Sequence, residues 1–189
     1  MTLQEEQSKA APGSLAVVQA LVNTRYGQGR RAHRELTSPE QLRAWLVAHR
    51  LLADDAPVTS GDVRRVFQLR EALRSLLRAN QETATLASSI EVFNRLALDA
   101  PLTVRLHSDG FPTLEPDFAG VDGALARLVG MVFTAMTNGT WARLKVCRNE
   151  RCQKAFYDTS RNRSGAWCSM AGCGSRLKAS AYRHRRTEG

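Results

Sequence analysis

The stretch from Cys147 to Cys173 reads CRNERCQKAFYDTSRNRSGAWCSMAGC and contains all four cysteines of the chain. They form two pairs with the spacing C-x4-C-x15-C-x4-C. Two close pairs separated by a loop can bring four thiolates to one tetrahedral Zn2+ ion. Two disulfides are the alternative, which a reducing cytoplasm disfavours. We therefore predict one structural zinc ion, in a site closed by its four ligands: Cys147, Cys152, Cys168 and Cys173.

The segment around these cysteines is small and strongly basic. Residues 141–189 contain 12 Lys and Arg against 3 Asp and Glu, whereas residues 1–140 contain 15 of each. The whole formal charge of +9 therefore lies in the last 49 residues. Such a local positive field attracts polyanions, of which nucleic acid is the most abundant in the cytoplasm. A chain of this size has a marginal core, so zinc binding is expected to supply much of its folding free energy.

Two parts of this module are candidate contact surfaces. The segment after Cys173 is predicted to form a basic helix that ends the module, with cationic and hydroxyl side chains on neighbouring rows. Part of its charge would offset the helix macrodipole. The loop between the cysteine pairs adds two arginines and Asp158, which we expect to bond locally rather than act as a catalytic acid. The predicted nucleic-acid contacts are Arg161, Arg163, Arg176, Lys178, Arg183 and Arg185.

The cysteine-free region has the pattern of a helical domain. Residues 1–13 are predicted to be a disordered leader, residues 14–139 a helical domain, and residues 141–189 the zinc module. Apolar residues at helical spacing, with helix starts at Ser38 and Thr59, predict helices separated by polar loops. Alternation over Leu102–Leu106, followed by the turn signal Asp109-Gly110, predicts a small β-hairpin. The expected fold class is α+β and mostly helical.

Composition and charge limit the functions that this region can have. A chain that is 43% hydrophobic and 24% charged is an ordinary soluble globular protein, and its acidic N-terminus lacks the features of a signal peptide. We therefore expect a cytoplasmic protein that does not bind membranes. The histidines are scattered and no nucleophile stands beside any of them, so we expect no enzymatic activity. The helical domain is expected to bind a small-molecule effector or to mediate homodimerisation.

The cysteine module resembles the CGNR zinc finger. The resemblance rests on the two cysteine pairs, on Phe156-Tyr157-Asp158 and on Cys173-Gly174-Ser175-Arg176. The helical region resembles the ABATE domain, through Leu21-Val22-Asn23-Thr24 and the run from Leu36 to Leu46. This family is described as stress-induced transcription regulators, so the resemblance implies a bacterial DNA-binding protein.

Three residues need separate comment within that resemblance. Ser175 stands where the finger's motif has Asn; a Ser can replace Asn as a helix cap, but a changed DNA contact would alter sequence preference. Asn23 and Thr24 match the upstream pattern and are candidates for a ligand pocket, with structural capping as the alternative.

A zinc module of this composition leaves a second function open. A structural or RNA-binding module would have the same basic charge but would prefer single strands or folded RNA. Base stacking would then require a free ring face on Tyr157, Trp167 or Tyr182. An enzyme acting through the helical domain is a third hypothesis, which would need a polar pocket with converging His and Asp side chains.

Overall fold

The computed structural model describes residues 9–26, 33–81 and 86–175. The helices in this part of the chain are α1 (Leu15–Asn23), α2 (Pro39–Ala48), α3 (Ser60–Ala79), α4 (Ala87–Leu98) and α5 (Gly120–Thr137). The strands pair as antiparallel hairpins: β1 (Arg25–Tyr26) with β2 (His33–Arg34), β3 (Leu102–Leu106) with β4 (Pro112–Pro116), and β5 (Leu144–Val146) with β6 (Ala155–Tyr157). The predicted α+β, mostly helical fold class is confirmed. The predicted C-terminal basic helix lies outside the described residues.

Local sequence signals set the helix starts. Ser38 caps α2 by accepting a hydrogen bond from the Gln41 backbone at 3.3 Å, and Pro39 occupies the first helical position. At α3, Thr59 and Asp62 form a reciprocal capping box. Each cap satisfies backbone N–H groups that the helix leaves unpaired, and is worth about 1 kcal/mol.

The core lies where α1, α3 and α5 meet. Helix α3 packs against α1, α2 and α4, and α5 packs against α1 and α4. Val18, Leu73 and Leu125 are among the side chains buried at this junction. Burial of each such side chain contributes about 1.5–3 kcal/mol. By length and composition α5 could cross a membrane, but half of its residues are buried inside the fold, as in the core helix of a globular protein.

The hairpin β3–β4 lies across α5. Its register runs from Leu102 opposite Pro116 to Leu106 opposite Pro112. A Cβ atom added to Gly130 of α5 would lie 3.2 Å from a methyl carbon of Leu102, so the glycine permits the close approach of helix and hairpin.

The main core continues into the C-terminal segment. Trp141, Leu144 and Val146 belong to the same buried cluster as α1, α3 and α5. The sequence predicts that residues 141–189 form a module with a small core of its own, whereas the structure places these three residues of that segment in the main core. The separate cluster around the cysteines centres on Phe156. The physical reason is that β5 and β6 pack on α3 and α1, which lets apolar residues from distant parts of the chain share one interior.

The last residues of the predicted leader also belong to the fold. Ala11 is buried, and the Lys9 carbonyl accepts hydrogen bonds from the Tyr157 backbone at 3.0 Å and from the Gln19 side chain at 2.9 Å. Residues 9–13 are therefore ordered, contrary to the predicted leader, because they satisfy the outer edge of β6. Residues 1–8 lie outside the described part of the chain.

Candidate metal centre

Four thiol groups converge at one point in the C-terminal segment. The Sγ atoms of Cys147, Cys152, Cys168 and Cys173 all lie within 4.8 Å of one another. The Sγ–Sγ distance is 3.6 Å between Cys152 and Cys168 and 3.8 Å between Cys168 and Cys173. A tetrahedral Zn2+ with Zn–S bonds of about 2.3 Å requires sulfur atoms about 3.8 Å apart. The four side chains thus fit one zinc ion, and the predicted structural zinc site is confirmed.

The first cysteine pair is held by the end of the β5–β6 hairpin. The Cys147 backbone N–H donates to the Lys154 carbonyl at 2.9 Å, and that of Cys152 donates to the Asn149 carbonyl at 2.7 Å. Gln153 follows with a positive φ of 57°, which reverses the chain directly after the second ligand. The turn therefore presents both thiols on the same side.

The second pair spans a short π-helical turn, Met170–Gly174. Ser169 caps it by accepting a hydrogen bond from the Gly172 backbone at 3.1 Å. A Cβ atom at Gly174 would lie 2.8 Å from the sulfur of Met170 and 3.1 Å from Cδ1 of Trp167, so a larger residue there would require these side chains to shift. Ser175, which replaces the asparagine of the finger's motif, donates its hydroxyl to the Met170 carbonyl at 2.9 Å and thus has a capping contact.

The thiols are electrostatically coupled. Hydrogen bonds from Cys152 and then Cys168 lower the pKa of the Cys147 thiol far below its ordinary value. The hydrogen bond to Cys147 raises the pKa of Cys152, and hydrogen bonds to Cys147 and Cys152 raise that of Cys168. Packed this closely, the group stabilises one thiolate and resists a second, since like charges repel. A divalent cation is the partner that allows all four thiols to ionise.

A buried ion pair supports the loop between the two cysteine pairs. Lys145 and Asp158 have side-chain exposures of 4% and 3%, with Nζ and Oδ2 2.7 Å apart. The carboxylate also accepts hydrogen bonds from the backbone of Ser160 at 3.0 Å and Gly165 at 2.8 Å. Lys145 additionally donates to the Arg163 carbonyl. Burial alone would raise the pKa of Asp158, but the hydrogen bonds from Lys145, Ser160 and Gly165 hold it below its ordinary value.

This ion pair fixes both ends of the segment from residue 158 to residue 165. Asp158 bonds locally, as expected from the sequence: it accepts hydrogen bonds from the backbone, and its charged partner is Lys145. Arg161 and Arg163 lie on the segment and are exposed. Their predicted contact with nucleic acid stays a prediction. The other four predicted contacts, Arg176, Lys178, Arg183 and Arg185, lie outside the described residues.

The finger is docked on the helical region by side chains that bond its backbone. The amide of Asn23 donates to the Ala155 carbonyl at 3.0 Å and accepts from its N–H at 2.8 Å. The amide of Asn80 donates to the carbonyls of Trp141 at 2.9 Å and Leu144 at 2.8 Å. These bonds satisfy finger backbone groups that lie inside the protein.

Arg74 makes the deepest of these contacts. Its guanidinium, in a residue only 5% exposed, donates to the carbonyls of Val22 at 2.6 Å, of Arg25, and of Gln153 at 2.9 Å. It therefore joins the end of α1 to the residue that directly follows a metal ligand. Glu71 lies 3.3 Å from its Nε and opposes the lowering of the arginine pKa that burial causes.

Thr24 lies in the same buried network. Its hydroxyl donates to the Leu21 carbonyl at 2.7 Å and accepts from Arg70 at 3.0 Å. Asn23 and Thr24 thus have structural partners, and their proposed place in a ligand pocket stays a prediction. Sequence reasoning missed the two buried arginines, Arg70 and Arg74. Their spacing of four residues beside an apolar stripe was the available signal, but exposed arginines share it.

A small cleft lies where α3 meets the finger. Its volume is about 290 Å³, and its lining is mostly polar. The side chains around it come from the C-terminal end of α3 and from the first cysteine turn: Arg78, Gln81, Val146, Cys147, Arg148, Glu150 and Gln153. A molecule in this cleft would contact the helical region and a metal ligand at once.

The geometry defines a zinc-finger protein whose finger is built into a helical fold. Residues 143–186 match the CGNR zinc finger. Residues 15–137 match the ABATE family, described as "Putative stress-induced transcription regulator". The second match spans more than half of the chain, and the protein belongs to that family. The resemblance inferred from sequence is confirmed. No curated protein matches the chain in sequence.

Proposed function

We propose that this protein is a cytoplasmic bacterial transcription regulator that binds duplex DNA through its zinc finger and has no enzymatic activity. The observation that carries the proposal is the loop between the cysteine pairs. It holds Arg161 and Arg163 exposed while the buried Lys145–Asp158 pair fixes its base. It does so in the segment that contains the entire net positive charge of the chain.

Each part of the finger has a separate task in this proposal. When bound, zinc would offset half of the charge of the four thiolates and fix the two cysteine turns. Lys145 and Asp158 then set the path of the loop, so that its arginines need little further ordering on binding. An ordered guanidinium contacts a phosphate with less entropic cost than a mobile one. The four contacts predicted beyond residue 175, at Arg176, Lys178, Arg183 and Arg185, are expected to add further phosphate contacts.

The two described candidates for base stacking in the finger favour duplex DNA over single-stranded RNA. Base stacking needs an exposed ring face. Tyr157 is half-buried against the main core, and Trp167 is half-buried against the cysteines. Neither therefore offers an open stacking platform. Tyr182, the third candidate, lies outside the described residues.

The side chains of His49 and His107 make local contacts, in keeping with a protein that is not an enzyme. The ring of His49 stacks on Trp45 with centroids 4.0 Å apart, and its Nδ1 lies 2.8 Å from the Trp45 carbonyl oxygen. His107 bonds Thr113 on the exposed hairpin. Both have local structural partners, and the two residues lie on separate elements.

The decisive experiment is selection from a random duplex pool by the zinc-loaded full-length protein near physiological salt. Enrichment of a defined site is the expected result. Retention without enrichment would favour the structural or RNA-binding module, and no retention would overturn the proposal.

Salt dependence tests the two loop arginines directly. Arg161→Ala and Arg163→Ala should each weaken duplex binding and lower the slope of log K against log salt by about 0.9. Arg95→Ala is the matched control, because Arg95 is an exposed arginine on α4, away from the finger. Unchanged slopes in both loop variants would place the loop outside the interface.

The effector part of the proposal concerns the cleft beside the metal centre. We infer that it accepts a small anionic molecule, because Arg78 and Arg148 line it from opposite sides and outnumber its one carboxylate, that of Glu150. A compound that raises the unfolding temperature of the protein but not of the Arg78→Ala variant would support this assignment. A compound with the same effect on both proteins would place the effector elsewhere.

A further inference from the structure

Among the described residues, no strand pairs with the outer edge of β3 in the hairpin β3–β4. Backbone bonds run from His107 to the Phe111 carbonyl at 3.1 Å and from Asp117 to the Pro101 carbonyl at 3.3 Å. Because antiparallel bonding alternates along a strand, the odd-numbered residues of β3 bond β4. The backbone N–H and C=O groups of Leu102, Val104 and Leu106 consequently point away from β4.

The other edge of the hairpin is blocked by its sequence. The outward-pointing residues of β4 are Pro112, Leu114 and Pro116, and proline has no N–H to donate. Strand β3 contains no proline. It is exposed along nearly its whole length, with 65% exposure at Val104 and 76% at Leu106. An edge of this kind is a template for pairing with another strand.

The side chains on this edge continue the apolar face that packs on α5. Leu102 and Leu114 lie beside Gly130, and Pro116 lies beside Gly123. Successive positions along β4 from Pro116 towards the tip of the hairpin therefore lie beside positions of α5 that are progressively nearer its C-terminal end. Phe133, one turn beyond Gly130, is 57% exposed on that path. Exposed apolar side chains thus occur both on the uncovered part of the hairpin and near the C-terminal end of α5.

We propose that β3 pairs antiparallel with β3 of a second copy of this chain, about a two-fold axis at Val104. The strand is self-complementary in this register. Val104 lies opposite the partner's Val104, and Leu102 lies opposite the partner's Leu106. All of these side chains fall on the apolar face, so the pairing extends that face without placing a charge in it.

Charge complementarity on the opposite face favours the same register. Thr103 lies opposite the partner's Arg105 in the paired strands. The Thr103 hydroxyl donates to the Asp117 carboxylate at 2.5 Å. The partner's Arg105, which pairs with Glu115 of its own chain, therefore meets a hydroxyl and a carboxylate rather than another cation. The two-fold axis repeats this contact, and like charges are not placed directly opposite each other.

The resulting assembly is a four-stranded antiparallel sheet. A two-fold axis perpendicular to the sheet keeps both copies of α5 on one face, where their exposed apolar ends help to cover the sheet. Two-stranded sheets are marginal alone, and additional strands stabilise them. This inference rests on the proposed function, because it identifies the surface through which the regulator would form a homodimer with two fingers. The oligomeric state can be measured without DNA and is therefore tested separately from DNA binding.

Disulfide cross-linking tests the register. Directly opposite, hydrogen-bonded residues have Cα atoms about 5.5 Å apart, within the range for a disulfide. Zinc-loaded Val104→Cys should therefore form a covalent dimer under mild oxidation. Leu106→Cys is the matched control, because the two copies of this residue lie four strand positions apart, about 13 Å. Wild-type protein measures any linking through the zinc-bound cysteines. Linking of Val104→Cys no greater than that of Leu106→Cys would overturn the register.

Sedimentation equilibrium tests the dimer itself. Wild-type protein should sediment as a dimer and Val104→Lys as a monomer, because an edge lysine opposes strand pairing. Leu98→Lys, which adds the same charge at an exposed apolar position on α4, should remain dimeric. A wild-type monomer at every accessible concentration, or a dimer unaffected by Val104→Lys, would overturn the inference. A dimer that fails to bind duplex DNA would overturn only the proposed function.

Discussion

Asp158→Asn is the most informative single change in the finger. It removes one charge from an ion pair in which both side chains are less than 5% exposed. The variant leaves the Lys145 ammonium buried, with only carbonyl groups and a neutral amide around it. The carboxylate also accepts the backbone N–H groups of Ser160 and Gly165, and an amide has one acceptor oxygen instead of two.

The expected loss of stability is large for a single-atom change. Removing one partner of a buried ion pair costs about 3–5 kcal/mol. For a protein of this length, 1 kcal/mol corresponds to about 2–4 °C in Tm, so the zinc-loaded variant should unfold roughly 10 °C below wild type. Glu115→Gln is the control: it breaks the Arg105–Glu115 pair, whose side chains are 64% and 41% exposed. That change should cost less than about 1 kcal/mol.

The pH dependence follows from the sign of the pKa shift. The pKa of Asp158 is lower in the folded protein than its ordinary value of about 3.9. Its contribution to stability is therefore complete above that value and is lost only as the pH falls through the folded pKa. The stability difference between wild type and Asp158→Asn should thus be constant from about pH 6 to pH 8. Urea unfolding measures it, and a loss below about 1 kcal/mol, or one equal to that of Glu115→Gln, would refute the reasoning.

Two further changes test the metal centre and its attachment to the helical region. Cys168→Ser, or removal of zinc by a chelator, should unfold the finger and abolish duplex binding, which tryptophan fluorescence and metal analysis can follow; a native spectrum without metal would contradict a structural role. Asn23→Ala removes two hydrogen bonds to the backbone of β6 and should cost about 1–3 kcal/mol in unfolding free energy. Asn94→Ala, at an exposed position on α4, is its control, and equal small losses would show that the Asn23 contacts contribute little.

The features that could be predicted from sequence are those set by neighbouring residues. The cap at Ser38 and the helix start at Thr59 depend on three or four consecutive positions. The turn at Asp109-Gly110 places Gly110 at a φ of 80°, a conformation that glycine adopts at little cost. The four metal ligands are also readable, because their spacing and side-chain chemistry identify them without any knowledge of the surrounding fold.

The attachment of the finger could not be predicted in the same way. Arg74 and Gln153 are 79 positions apart, and neither residue is unusual where it stands in the sequence. From sequence alone an arginine is expected at the surface, because burying an unpaired charge costs free energy. Here three backbone carbonyls and Glu71 compensate the guanidinium, and only the folded chain brings them together. The charge and cysteine counts indicated a boundary near Gly139. They did not show that apolar residues on both sides of this boundary are buried in the same core.

That shared burial changes what the zinc ion stabilises. Gln81 and Arg74 donate hydrogen bonds to the carbonyls of Val146 and Gln153, the residues immediately before Cys147 and after Cys152. Their positions depend on the cysteine turn, so zinc binding and docking of the finger favour the same backbone conformation. By linkage, whatever binds the folded form alone stabilises the whole cooperative unit. A ligand or partner that binds only the folded helical region would then raise the affinity of the finger for zinc and increase the order of its loop. This coupling would not require the finger to change between two conformations.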